Sequence, residues 1–270
     1  MEIMIMQKTF NKIVVFSGAG ISQESGIKTF RDSGGLWENH KIEDVCNMHT
    51  WKDNYDLVHK FYDDRREQLG TVSPNLAHTI ISEWQKKYLC LNVTTNVDDL
   101  FEKAGVVDTV HLHGFLPEVY CIECGMKYNM QYERLYNNDT INPIVNTIRS
   151  HKHDCIWQSF SEEEKHNIQK CKIYKPNVVF FNETAPMYST YNSILNSIDN
   201  KTIAIVVGAS NIVVNFISDL YTNTNCKILV VDTNKNILDD YQYENVELYN
   251  TKASEGLYKI NELLTNYMEV

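Results

Sequence analysis

The stretch Gly18-Ala19-Gly20-Ile21-Ser22-Gln23-Glu24-Ser25-Gly26 follows an apolar run, Ile13-Val14-Val15-Phe16, with only Ser17 between. Two glycines and an alanine let a backbone turn sharply and approach a bound group closely, and a helix after the turn aims free N–H groups at a phosphate. The order therefore predicts a strand–loop–helix unit that binds a pyrophosphate. The spacing departs from G-x-G-x-x-G, so the motif alone is equally compatible with a glycine turn that binds nothing.

Further apolar runs punctuate the 270 residues: Tyr88–Val93, Val106–Val110, Val178–Phe181, Ile203–Val207, Ile228–Val231 and Val246–Tyr249. Most lack polar alternation, as in strands covered on both faces. Helical patterns at Asn75–Trp84 and Asp98–Ala104 separate several of them, which predicts an α/β fold with a doubly wound parallel sheet. Residues 40–72 carry helical patterning with Trp51, Leu57, Val58 and Phe61 as apolar anchors. Residues 118–175 hold four of the seven cysteines. The expected division is a Rossmann-like domain of 1–39, 73–117 and 176–270, a helical insert at 40–72 and a cysteine module at 118–175, the latter two packed together.

A net charge of −10 argues against a nucleic-acid partner, which requires a basic face. No apolar run is long enough to span a bilayer, and Met1–Phe10 do not read as a signal peptide. An odd cysteine count, partly clustered, suits a reducing compartment and a local metal site. The expectation is a cytoplasmic protein with no membrane partner.

Five blocks resemble the sirtuin family in the order that family requires. They are Gly18–Ile27 with Phe30-Arg31 and Gly35-Leu36-Trp37; Thr94-Thr95-Asn96-Val97-Asp98; His111-Leu112-His113-Gly114; Lys175-Pro176-Asn177-Val178-Val179-Phe180-Phe181-Asn182-Glu183; and Gly208-Ala209-Ser210. The resemblance implies an NAD-dependent protein-lysine deacylase with a Rossmann-like domain and a smaller zinc-bearing one. Its acylated peptide lies in the cleft between them. In that chemistry the acyl oxygen attacks the ribose carbon, nicotinamide leaves, and a histidine activates a ribose hydroxyl. The products are free lysine and O-acyl-ADP-ribose.

The resemblance implies His113 as the base, with Asn96 and Asp98 beside it in the catalytic set. A neutral imidazole can accept a hydroxyl proton near neutral pH. His111, two residues away, is the rival. The implied NAD contacts are Gly18, Ala19, Gly20, Ser22, Phe30, Arg31, Trp37, Thr95, Asn96, Val97, Asp98, Gly208, Ala209, Ser210, Asp232 and Ala253. An amide and a carboxylate at Asn96 and Asp98 can hydrogen-bond ribose hydroxyls or a carboxamide, and Asp98 can equally cap the helix that follows. The chain departs from the family at Thr95, where glutamine is usual, at Lys28-Thr29 for Pro-Asp, at Asn182 for glycine, and at Asp232 for asparagine.

Tyr62 and Arg65 are three apart, on one face of a helix. A phenol and a guanidinium there can clamp a carboxylate. The pair resembles the Tyr-x-x-Arg of sirtuins that remove succinyl and malonyl groups, and an exposed, self-paired helix face is the plainer reading. Val178, Val179 and Phe180 are expected to bind substrate as an added strand. Cys121 and Cys124 form a CxxC knuckle. With Cys155 and Cys171 they are expected to hold one structural zinc ion, and His151 and His153 compete for the third position. Cys46, Cys90 and Cys226 read as buried apolar residues. Two other functions stay open on the same residues: NAD hydrolysis or ADP-ribosyl transfer, and non-catalytic sensing of NAD or ADP-ribose.

Overall fold

The computed structural model describes residues 10–28, 36–37, 40–122, 125–137, 140–141, 173–239 and 245–268. Its larger sheet has six parallel strands in the order β13-β12-β11-β1-β4-β5. These are β1 (Lys12–Ser17), β4 (Leu89–Thr94), β5 (Val110–His111), β11 (Thr202–Val207), β12 (Lys227–Val231) and β13 (Val246–Tyr249). Between β1 and β4 lie two short strands, β2 (Leu36–Trp37) and β3 (His40–Lys41), which pair with each other.

The missing alternation in the central strands has a direct cause. Ile13 and Val15 of β1, with Ile203, Ile205 and Val207 of β11, pack under α3 (Leu76–Lys87) and α7 (Ala253–Tyr267). Val14, Phe16, Ala204 and Val206 point the other way, against α5 (Tyr188–Asn196) and α6 (Phe216–Asn223). Both faces are covered, so every position is apolar.

A smaller antiparallel sheet joins β6 (Gly114–Cys121), β7 (Lys127–Asn129) and β10 (Tyr174–Val178) in the order β10-β6-β7. The helical insert, α1 (Ile42–Val45) and α2 (Tyr55–Leu69), packs on it: Val58, Phe61 and Tyr62 meet Leu116, Val178 and Phe180. The buried Arg66 guanidinium ties the two, donating to the Leu116 carbonyl (3.1 Å) and to Asp63, while Asp63 accepts the Leu135 N–H at 3.0 Å. Two more short strands, β8 (Tyr136–Asn137) and β9 (Thr140–Ile141), pair with each other.

Several expectations are corrected. The run Val106–Val110 is not one strand: Asp108 sits at φ 55°, which breaks an extended chain, so only Val110 and His111 join the sheet. The helix expected after the glycine turn is a 3-10 segment over Ala19–Ser25, ended by Gly26 at φ 89°. β6 and β10 carry the small sheet from Gly114 to Val178, past both ends of the cysteine module. The strand expected at Val178–Phe181 lies earlier and stops at Val178.

Candidate functional site

A cleft of about 850 Å³ opens between the two sheets along the carboxyl ends of β1, β4, β11 and β12. Such an edge, where the chain departs to opposite sides of neighbouring strands, is where open α/β sheets bind ligands. β1 and β11 are those neighbours here.

Their two loops touch. Gly20 donates to the Gly208 carbonyl at 2.9 Å, and Gly18 to that of Val207 at 3.1 Å. A Cβ on Gly20 would stand 2.6 Å from Gly208 Cα, and one on Gly18 2.8 Å from Ala209 Cα. Gly208 itself adopts φ 56°. Only glycine permits this closeness, and it leaves a shallow backbone cradle in the cleft with Ala19, Ala209 and Ser210 at its rim.

Next to it, three side chains form a buried polar knot. The Ser22 hydroxyl donates to Asp98 Oδ2 at 2.9 Å and receives the Asn96 amide at 3.1 Å. Asp98 Oδ1 accepts the Leu100 N–H at 3.2 Å, an Asx turn at the start of α4 (Leu100–Lys103). Burial pushes the Asp98 carboxyl up, against the lowering effect of Ser22 and of the Leu100 N–H. Asn75 fixes the knot from behind, capping α3 while donating to the Ile21 carbonyl at 2.7 Å. Thr95 lines the cleft, and its N–H is spent on Ser17 at 3.0 Å.

The two histidines are placed differently. His111 is tied down: one ring nitrogen meets the Asn96 carbonyl (2.8 Å), the other Glu102 Oε1 (3.0 Å). Burial works against its charge, but the Glu102 carboxylate, the Asn96 carbonyl and Asp98 together outweigh that and raise its pKa. His113 lines the cleft, with Nε2 3.5 Å from the Tyr188 hydroxyl. Burial lowers its pKa, against a hydrogen bond to the Thr95 backbone. Of the two, His113 is therefore the neutral imidazole that faces the cleft. Gly114 follows at φ 91°, where a Cβ would lie 2.1 Å from the Asn177 carbonyl oxygen.

Under the small-sheet side, Tyr62, Arg65, Cys46, Leu116, Val178 and Phe180 line a pocket continuous with the cleft. Tyr62 is fully buried and stacks on Phe180, with centroids 5.6 Å apart and planes 17° apart. The Cys46 thiol lines the same pocket, and burial raises its pKa. Arg65 is 9% exposed; its guanidinium lies over the Phe61 ring and donates to the Phe61 carbonyl at 2.6 Å. The exposed helix face weighed for this pair is thus ruled out.

The far end of the cleft is lined by Asp232, Thr251, Lys252 and Ala253, with Val97 near its middle. Asp232 Oδ1 accepts the Asn234 N–H at 2.8 Å. Phe30 and Arg31 lie outside the described residues, as do Cys124, His151, His153, Cys155 and Cys171. Trp37 is in β2. Cys121 ends β6 with a buried free thiol, and no metal-binding cluster occurs among the described residues. The sequence alone did not single out Cys46, Tyr188, Glu102 or the buried Lys175 as parts of the site. Only their three-dimensional neighbours reveal them, although Lys175 and Glu183 bound the fourth of the five sequence blocks.

The family model for the Sir2 family matches residues 18–215. A Helicobacter hepaticus protein named NAD-dependent protein deacylase is 36% identical over 222 residues, 75% of this chain and 76% of that one. A Helicobacter pylori protein of the same name is 32% identical over 245 residues, 91% and 92% of the two chains. Among solved structures, a Sir2 homologue–NAD complex superposes with a TM-score of 0.72 at 25% identity, covering 94% of this chain and 89% of the other. A mutant Sir2 homologue with ADP-ribose gives 0.74 at 23% identity over 98% and 97%, a likeness of fold. With the five blocks gathered around one cleft and these matches spanning most of its length, the chain belongs to the Sir2 family.

Proposed function

We propose that this protein is an NAD-dependent protein-lysine deacylase. The observation that carries the reading is His113, a neutral imidazole presented to a cleft whose other end is a glycine-lined backbone cradle. The relatives that match most of the chain bear the same activity in their names.

The cleft fits a dinucleotide. A cradle that any Cβ would fill, at Gly18, Gly20 and Gly208, suits a diphosphate; the Ser22–Asn96–Asp98 knot suits ribose hydroxyls and a carboxamide; Asp232 and Ala253 would hold the adenosine end. NAD, when bound, supplies a ribose carbon bearing a nicotinamide leaving group and hydroxyls that can carry an acyl group away. His113 Nε2 takes a hydroxyl proton, and its lowered pKa keeps it ready to do so near neutral pH. The Val179 carbonyl receives no hydrogen bond among the described residues and lines the cleft, so it suits the N–H of an acylated lysine. The Phe180 N–H and carbonyl are already taken by Glu183, and the Phe181 N–H by Cys46. Peptide pairing therefore centres on Val179 rather than on the whole run expected from sequence.

The finer reading is removal of acyl groups that end in a carboxylate, succinyl or malonyl. Its support is a buried guanidinium and a buried phenol in one pocket beside the Val179 carbonyl. Arg65→Met is expected to cut turnover of succinyl-lysine peptide at least about tenfold more than that of acetyl-lysine peptide. Equal loss on both would remove the selector. Mass spectrometry of the products tests the activity itself. O-acyl-ADP-ribose is the expected product. ADP-ribose formed without peptide would instead make the chain a hydrolase, and no turnover by well-folded protein would leave a sensor.

A structural zinc ion in the cysteine module belongs to the same proposal. Its support is the knuckle at Cys121, where the Gly125 N–H returns to the Cys121 carbonyl at 2.8 Å with Gly125 at φ 72°. Elemental analysis should find one zinc per chain.

A further inference from the structure

Lys175 has no exposed surface, yet it is a lysine. Its ammonium meets Glu183 Oε2 at 2.9 Å, donates to the Val178 carbonyl, and sits 3.7 Å from the centre of the Phe180 ring. Glu183 is saturated in turn. Oε2 accepts the Phe180 N–H at 2.8 Å, Oε1 accepts the Tyr120 hydroxyl at 3.2 Å, and the Glu183 N–H returns to the Phe180 carbonyl at 3.1 Å. Burial lowers the lysine pKa, and the Glu183 carboxylate opposes that.

Stability alone does not call for such a pair, because well-packed apolar residues of similar volume often serve a core as well or better. What the pair does uniquely is fix geometry. Every bond it makes falls on the five residues between Val178 and Asn182 or on the strand beside them. One end of that stretch offers the unpartnered Val179 carbonyl to the cleft. Its middle, Phe180, is clamped between the Lys175 ammonium and the Tyr62 ring.

We infer that Lys175 and Glu183 are positioning residues for the acyl-lysine: the pair, with its lysine fully buried, sets at once the Val179 carbonyl and the Phe180–Tyr62 wall of the acyl pocket. The inference rests on the deacylase reading above. Among the described residues the dinucleotide cradle at Gly20 and Gly208 shares no hydrogen bond with the pair, so the two substrates should feel its loss unequally.

The test compares the unmodified protein with Glu183→Gln, the charge-neutral double variant Lys175→Met/Glu183→Gln, and Tyr120→Phe, which removes one bond and leaves both charges. Steady-state KM for acyl-lysine peptide and the calorimetric Kd for NAD are measured on each. The expected result is a rise in peptide KM of about tenfold or more for Glu183→Gln and the double variant, a smaller rise for Tyr120→Phe, and an NAD Kd within about twofold of the unmodified protein. If Glu183→Gln fails to fold, the double variant and Tyr120→Phe carry the test. Unchanged peptide KM in the folded variants, or equal weakening toward peptide and NAD, would overturn the inference. Failure of the unmodified protein to turn over any acyl peptide would instead overturn the activity on which it rests.

Discussion

At the scale of single residues, the site turns on which of two neighbouring histidines is free to take a proton. Resemblance names His113, with His111 as its rival only two positions away, and the local sequence gives no physical reason for the choice. The fold settles accessibility through partners that no local pattern announces: Glu102 and the Asn96 carbonyl occupy both nitrogens of His111. His113→Ala should therefore lower turnover by about 10²–10⁴-fold while NAD still binds, whereas Glu102→Gln should change it little; steady-state kinetics beside calorimetry would separate the two. Because burial holds the His113 pKa below 6.5, the base stays neutral as pH falls through 6.5. The acid limb of the kcat/KM profile is expected below that value, and a limb centred above it would contradict the assignment.

At the scale of elements, the strands that were legible are those buried on both faces. A continuous apolar run such as Thr202–Val207 leaves few alternatives. Val106–Val110 looked the same in composition and failed because Asp108 adopts a left-handed backbone, which composition does not display. The short 3-10 segment at Ala19–Ser25 was equally hidden, for it is set by Gly26 and by Asn75 reaching back to Ile21. The contact between the glycine loops gives a sharp expectation. Gly20→Ala places a methyl carbon 2.6 Å from Gly208 Cα, backbone against backbone. A stability loss on the order of 1–3 kcal/mol is expected, read from urea unfolding, together with weakened NAD binding.

At the scale of the whole molecule, two buried histidines outside the cleft govern behaviour in acid. Burial holds His59 to about 3 and His78 to about 4, from an ordinary 6.5. Through these two groups the unfolded chain binds more protons than the folded one below pH 6.5, so their contribution to stability falls as pH drops from 6.5 toward about 4. Urea midpoints measured across that window should decline steadily, and His78→Gln should flatten part of the decline. The sheet covered by helices on both faces was readable from strand–helix alternation, and so was the packing of the helical insert away from the large sheet. The exact frontier between the two sheets was not, because β6 leaves the His113-Gly114 turn and enters the small sheet without any change in composition. The pairing of Lys12 with Thr202 at the heart of the large sheet also has a consequence for biogenesis. On the ribosome, one edge of β1 must wait unpaired while most of the polypeptide is still being translated. Premature termination anywhere before β11 would release a chain with a bare hydrophobic edge and half a nucleotide cradle, prone to self-association and inert.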